Sequence, residues 1–262
     1  MVEGLAFWLA VAVLAWAALA GTSGLALRKE AWRAHGVRAL AATLVPLGLA
    51  LLLRWIRVEH GPYVTRFEVL ASDAWMLVAV YLAAARWWRP AAAAGVLVAP
   101  AALFMLGAAA MVTHESQPVP AAFDNVWLVV HILFAKAAYG SLLVSGGLAA
   151  VALWRRRQGA DGEGQEEWSH RWMLAGFLFL ALMIAAGSLW AYHAWGRYWG
   201  WDPIECWALA TWLGYGVVVH LRFRGWRGPR FCWTSIAAVA AVGLAYFVAP
   251  TISGSIHAGY FQ

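Results

Sequence analysis

Charge is what this chain has least of. Aspartate, glutamate, lysine and arginine together make up 12% of its 262 residues, about half the share of a soluble globular domain. A water-soluble fold of this length cannot hide a 63% hydrophobic share in one core. The composition therefore describes an integral membrane protein, read as one polytopic domain over residues 1–262. Cysteine is almost as scarce. Cys206 and Cys232 open different apolar runs and form no Cys-x-x-Cys motif, so neither a zinc site nor a dithiol redox pair is implied. There is no phosphate-cradling glycine loop and no nucleophile set beside a base. Nothing points to a step driven by ATP or to a catalytic side chain of the chain's own. The first residues lack a basic stretch and a small-residue cleavage site, and they read as a first mature helix rather than a signal peptide.

Long apolar runs are abundant. A membrane helix needs about 20 mostly apolar residues, and eight runs qualify: 5–27, 38–56, 68–85, 91–112, 127–154, 172–190, 205–221 and 232–249. The expected fold is all-α, with about eight transmembrane helices. Pro46 and Pro100 fall inside two of them and read as kinks rather than ends. The net charge of +6 does not indicate nucleic acid, because the arginines stand between the apolar runs. Fourteen of the 19 basic residues fall in the odd-numbered loops. The positive-inside rule assigns those loops to the cytoplasm and both termini to the external, periplasmic side. The polar stretch 158–167 reads as a cytoplasmic linker.

The segment Trp190–Trp207, WAYHAWGRYWGWDPIECW, holds five tryptophans in eighteen residues. By the loop count it faces outward. Clustered indoles could anchor helices at a membrane edge. With two glycines, a proline and two acids among them, they also suit a platform for a large, flat, apolar ligand. Asp202-Pro203 fits a turn, and Asp202 and Glu205 fit capping of the next helix; Glu68 and Asp73 could cap another. Arg197 invites cation–π stacking or pairing with an anionic ligand group.

Eight histidines are present. His35, His60, His114 and His170 read as solvated loop residues, and His193 as a ligand contact or a partly exposed loop residue. His131 opens the fifth run and His257 follows the eighth, both on the outward face with the tryptophan segment. Imidazoles on two sides of a ring are what six-coordinate haem iron needs; an interfacial helix start and a free tail fit the same positions. His220 lies 13 residues beyond Trp207, about 20 Å deeper along a helix. It cannot share a site with the other two. An ionisable group at membrane depth is a functional candidate, although its neighbours Arg222 and Arg224 also suit a helix end at the interface.

These residues carry a family resemblance. The string Trp195-Gly196-Arg197-Tyr198-Trp199-Gly200-Trp201-Asp202-Pro203-Ile204-Glu205-Cys206-Trp207 resembles the "WWD" signature of haem-handling proteins in cytochrome c maturation. Its continuation through Ala208-Leu209-Ala210-Thr211-Trp212-Leu213-Gly214-Tyr215 to His220-Leu221-Arg222 is similar to the CcsA (ResC) branch. The chain departs from the family at Ile204 and Cys206, usually Lys and Thr, and at Tyr192-His193, often Asn-Glu. The tail Ile256-His257-Ala258-Gly259-Tyr260 resembles the family's Leu-His-Ser-Tyr. The likeness is closest over residues 127–257.

The resemblance implies that haem b, as substrate, is held outside between His131 and His257. One ring edge would rest on the 190–207 loop, with Trp195, Arg197, Trp199, Trp201, Asp202 and Trp207 as binding residues. His220 would be a second, intramembrane haem ligand whose partner histidine comes from a CcsB (ResB)-like subunit. The family presents haem vinyls to the Cys-x-x-Cys-His motif of apocytochrome c as part of a holocytochrome c synthase (haem lyase) complex. It implies a multi-pass protein of the bacterial inner membrane, in contact with lipid and served by thiol-reducing thioredoxin-like proteins, with no nucleic acid. Two competing readings are a CcmC-type protein that delivers haem to a chaperone, which typically has six membrane helices, and a haem-free transporter or scaffold.

Overall fold

The computed structural model describes residues 1–248, which form eight long α-helices and no strands. All eight spans are long and apolar enough to cross a membrane, as the runs predict. The chain divides into two compact units, Met1–Gln117 and Pro118–Gln262.

The first unit holds α1 (Val2–Ala26), α2 (Glu30–Val58), α3 (Arg66–Trp87) and α4 (Gly95–Ala110), the last preceded by a 3-10 turn over Arg89–Ala94. α2 runs through Pro46 and α4 through Pro100. α1 and α2 approach at glycine: a Cβ on Gly36 would lie 2.8 Å from Gly21 Cα. Without a hydrophobic drive between helices in lipid, such close backbone packing supplies much of the association. At one end Arg54, 1% exposed, donates to Glu68 at 2.7 Å and to the carbonyls of His114 and Glu115. Glu68 also closes a capping box with Thr65 at the start of α3, as the sequence predicts. His60 is buried here against the Gly61 carbonyl, which corrects its reading as a solvated loop residue.

The second unit holds a 3-10 turn over Ala121–Phe123, then α5 (Val126–Arg157), α6 (Glu163–Trp195), α7 (Pro203–Phe223) and α8 (Pro229–Val248). α5 and α6 pack along their length, with Leu142 against Gly176 and Ser145 bonded to Ser169. Leu142, Met173, Leu180, Tyr215 and Phe231 fill the core.

Several helices exceed their apolar runs. α2 begins at Glu30 rather than at 38, and α6 at Glu163 rather than at 172. Half of the stretch expected as a polar linker, residues 163–167, is therefore helix. The reason is a buried ion cluster. Glu166, 3% exposed, accepts from Arg156 at 2.5 Å, from Arg222 and from the Gly228 amide. Partnered in this way, a carboxylate that looks like loop in the sequence belongs to the helix core. His170 is drawn in with it, buried edge-on between Phe223 and Phe231, not solvated as expected. This cluster ties together the end of α5, the start of α6, the end of α7 and the start of α8. The opposite end of the unit holds the start of α5, the end of α6 and the start of α7.

Candidate functional site

The tryptophan segment is mostly helical. α6 carries Trp190 and Trp195, and α7 carries Trp207. The non-helical part is residues 196–202. Gly196 ends α6 in the left-handed conformation, φ 72°, with its amide on the Tyr192 carbonyl at 2.8 Å; glycine adopts this at no steric cost. Asp202 starts α7, its carboxylate accepting from the Ile204 amide at 2.8 Å, with Pro203 in the first turn. Glu205 completes the box: Oε2 accepts from the Gly200 amide at 2.8 Å and the Asp202 amide at 3.1 Å. The capping reading of both acids holds.

Between those two amides stands Trp201, at φ 58°. A tryptophan in the left-handed region is strained, and such strain persists only where its surroundings fix it. Glu205 does the fixing, and the Trp201 indole is left 71% exposed. Trp199 meets it edge-on at 5.9 Å, and Tyr198 stacks on Tyr192 at 4.5 Å. Arg197 folds across Gly200, where a Cβ would come within 2.7 Å of the guanidinium. It makes no cation–π contact among the described residues, so the first of its two expected roles is not realised there.

His131 lies at the same end of the unit. Its Nδ1 donates to the Met183 carbonyl on α6 at 2.9 Å. A carbonyl can only accept, so the proton is on Nδ1 and the neutral ring's lone pair is on Nε2, the atom a metal would take. The ring stacks on Trp190 at 6.4 Å and 24°. Trp190, 3% exposed, is itself held by a 2.7 Å bond from Nε1 to the Ala122 carbonyl and meets Trp195 edge-on at 4.9 Å. The chain Trp195–Trp190–His131 thus joins the exposed turn to the histidine. His257 lies outside the described residues.

His220 is elsewhere, near the far end of α7 by the ion cluster. Its Nδ1 donates to the Gly216 carbonyl of its own helix at 2.8 Å, which again leaves the lone pair on Nε2. The ring is exposed and faces a groove of about 400 Å³ with Phe177, Trp212, Gly216 and Arg224 among its walls. Phe177 and Trp212 stack there at 5.1 Å with planes 6° apart. The volume falls in the range of small-molecule sites. His193 is exposed at the end of α6, His114 is exposed in its loop, and His35 is exposed on α2.

The structure thus has the tryptophan turn and His131 at one end of the unit and His220 apart, the placement read from the sequence. Sequence reasoning missed Trp190 as a partner of His131, and with it Met183, Gly187 and the Glu166 cluster. The recurrence of Met183, Gly187 and Trp190 at helical spacing was the available signal.

Comparison with known proteins gives the family. A sequence model of the cytochrome C assembly protein family matches residues 63–257. Cytochrome c biogenesis protein CcsA of Synechococcus sp. (strain RCC307) is 28% identical over 85% of this chain and 83% of its own. The protein of that name from Chlamydomonas reinhardtii is 29% identical over 82% of this chain and 66% of its own. A solved structure titled cytochrome c heme lyase CcmF shares the fold, with a TM-score of 0.76 at 19% identity over 98% of this chain. The chain spans about half of that protein, 47%. With most of its length matched by one model, this multi-pass membrane chain belongs to the cytochrome C assembly protein family.

Proposed function

We propose that this protein is the CcsA-type, haem-handling subunit of a cytochrome c synthase. The single observation that carries the reading is the juxtaposition, at one end of the second unit, of the strained aromatic turn and a histidine with its tautomer set by a backbone carbonyl. Haem b is the substrate. Its iron is held by His131 and His257. Its flat face and edge meet Trp195, Trp199, Trp201 and Trp207, and Arg197 pairs with a propionate. Asp202 acts through the turn rather than on iron, since its carboxylate is committed to the cap.

The residues fit such a ligand: an imidazole with its lone pair on Nε2, exposed indoles and an exposed cation. The chemistry itself comes from haem and apocytochrome. Each cysteine S–H of the Cys-x-x-Cys-His motif adds across a vinyl C=C. A C–S bond forms and the proton ends on the neighbouring carbon, with no net redox change. The chain supplies axial ligation and orientation. His220, in its groove with Arg224, holds haem in transit with a histidine from a CcsB-like subunit. The eight helices favour this over the CcmC-type delivery role.

On this reading both termini and the 190–207 segment, with its 196–202 turn, lie on the external side of a bacterial inner membrane. Residues 1–262 act as one haem-handling domain, with apocytochrome c and thiol-reducing thioredoxin-like proteins as further partners. The test is the absorption spectrum of the full chain purified in detergent, alone and with a co-expressed CcsB-like subunit. A Soret band with reduced α and β bands is expected. His131→Ala or His257→Ala should perturb the outer haem and stop maturation, with imidazole partly restoring each. Folded protein with no Soret band in either preparation would favour the haem-free scaffold.

A further inference from the structure

Three residues of α6 face His131 from one stripe. Met183, Gly187 and Trp190 stand at i, i+4 and i+7, which aligns them on one side of a helix. Each does something different to the ring. The Met183 carbonyl takes the Nδ1 proton at 2.9 Å. Gly187 lets the ring reach that carbonyl: a Cβ there would lie 2.7 Å from His131 Nδ1 and 3.0 Å from Cε1. No rotamer change of residue 187 could relieve such a contact, because Cβ is fixed to the backbone. Trp190 lies nearly parallel to the imidazole at 24° and is pinned by its bond to the Ala122 carbonyl. Proton position, depth of insertion and ring plane are thus set by three separate contacts.

We infer that α6 is the socket of the outer axial histidine, with Gly187 and Trp190 as positioning residues that act on haem through His131. The inference rests on the proposed role of His131 as an iron ligand. A backbone acceptor on the second nitrogen strengthens an imidazole ligand and fixes its orientation. Glycine at 187 is needed for that acceptor to be reached, since alanine would push the ring away from Met183. The same helix runs on through Trp195 into the exposed turn, so one rigid element carries both the socket and the platform.

The experiment titrates haemin into the full-length chain in detergent and records affinity and the low-spin fraction. Gly187→Ala and Trp190→Leu should each weaken haemin binding by about 10–100-fold, the usual cost of losing an outer-shell partner. Each should also shift iron toward high spin, with saturating imidazole restoring the low-spin spectrum. Trp190→Phe keeps a ring but loses the bond to Ala122, and should fall between. Gly243→Ala is the control, since a Cβ there meets nothing within 4 Å, and should match the parent chain. In a His131→Ala background, adding Gly187→Ala or Trp190→Leu should cost nothing further, because both act through the missing ring.

Parent-like affinity and spin state in Gly187→Ala and Trp190→Leu would overturn the socket. So would a loss of the same size with and without His131, which would make the stripe a matter of helix packing. If Gly187→Ala does not accumulate, the two Trp190 variants and their double-mutant cycle with His131→Ala decide the question alone. A His131→Ala chain with a native spectrum would instead remove the axial reading itself, and is told apart from failure of the socket by that arm.

Discussion

His131 and His220 make the same bond in different ways. Each gives its Nδ1 proton to a backbone carbonyl and keeps the Nε2 lone pair. For His131 the acceptor, Met183, is 52 residues away on another helix, and Gly187 and Trp190 close round the ring. For His220 the acceptor is four residues back on its own helix, and the ring stands exposed in an apolar groove. Tertiary packing therefore orients the first ring, while the second takes its direction from one helix and borrows a wall from Phe177 on α6. An imidazole exposed at membrane depth is costly unless something covers it. In the proposed function haem and the CcsB-like subunit do so. On the proposed function the two sites are finished differently: the setting of the outer histidine is built by this chain, and that of the inner one is completed by the CcsB-like subunit.

The surroundings of the two sites differ as well, and this gives the comparison its sharpest tests. The His220 end is held by buried charge. Glu166→Ala would leave Arg222, 5% exposed, without its buried partner, and breaking such a pair costs about 3–5 kcal/mol. Thermal or SDS denaturation should report that loss, and the His220 haem should fall with it while the aromatic end keeps its haemin affinity in the surviving fold. The outer end is held by backbone amides that donate to the carboxylates of Asp202 and Glu205. Glu205→Ala removes the acceptor of two amides round the strained Trp201, worth about 1–3 kcal/mol in stability. It should weaken outer haem retention and leave the His220 spectrum unchanged. The smallest effect is expected at the exposed indole itself. Trp201→Ala should change stability by less than about 0.5 kcal/mol and lower haem retention by about 0.5–1.5 kcal/mol, the worth of one aromatic pair. Unchanged occupancy in both Glu205→Ala and Trp201→Ala would reduce the turn to a membrane anchor.

Helix number was legible because hydrocarbon demands about 20 apolar residues per span, and the chain marks eight. Helix ends were not. Glu163, Glu166 and His170 look like solvated linker in sequence, but Arg156 and Arg222, distant in the chain, satisfy Glu166 and make helix of it. His60 was misread for the same reason, being buried at a boundary where only packing decides exposure. At the site, the capping of α7 by Asp202 and Glu205 could be read directly, since a capping box is encoded within a few residues, whereas the left-handed backbone at Gly196 and Trp201 was not read. The socket could not, because Met183, Gly187 and Trp190 meet His131 only once α5 and α6 pack. His220 could be assigned to a separate depth by the rise of one helix alone, and the groove beside it needed Phe177 from another helix to exist.

In the proposed function the two histidines serve two haem positions in series, the inner one supplying the outer. Haem content and optical spectra of the complex with a CcsB-like subunit test it most directly, comparing the parent, His131→Ala and His220→Ala. The expected result is asymmetric. His131→Ala should lose the outer haem and keep the inner one, whereas His220→Ala should deplete both, because supply fails upstream. A His220→Ala complex with full outer haem and normal cytochrome c maturation would contradict it.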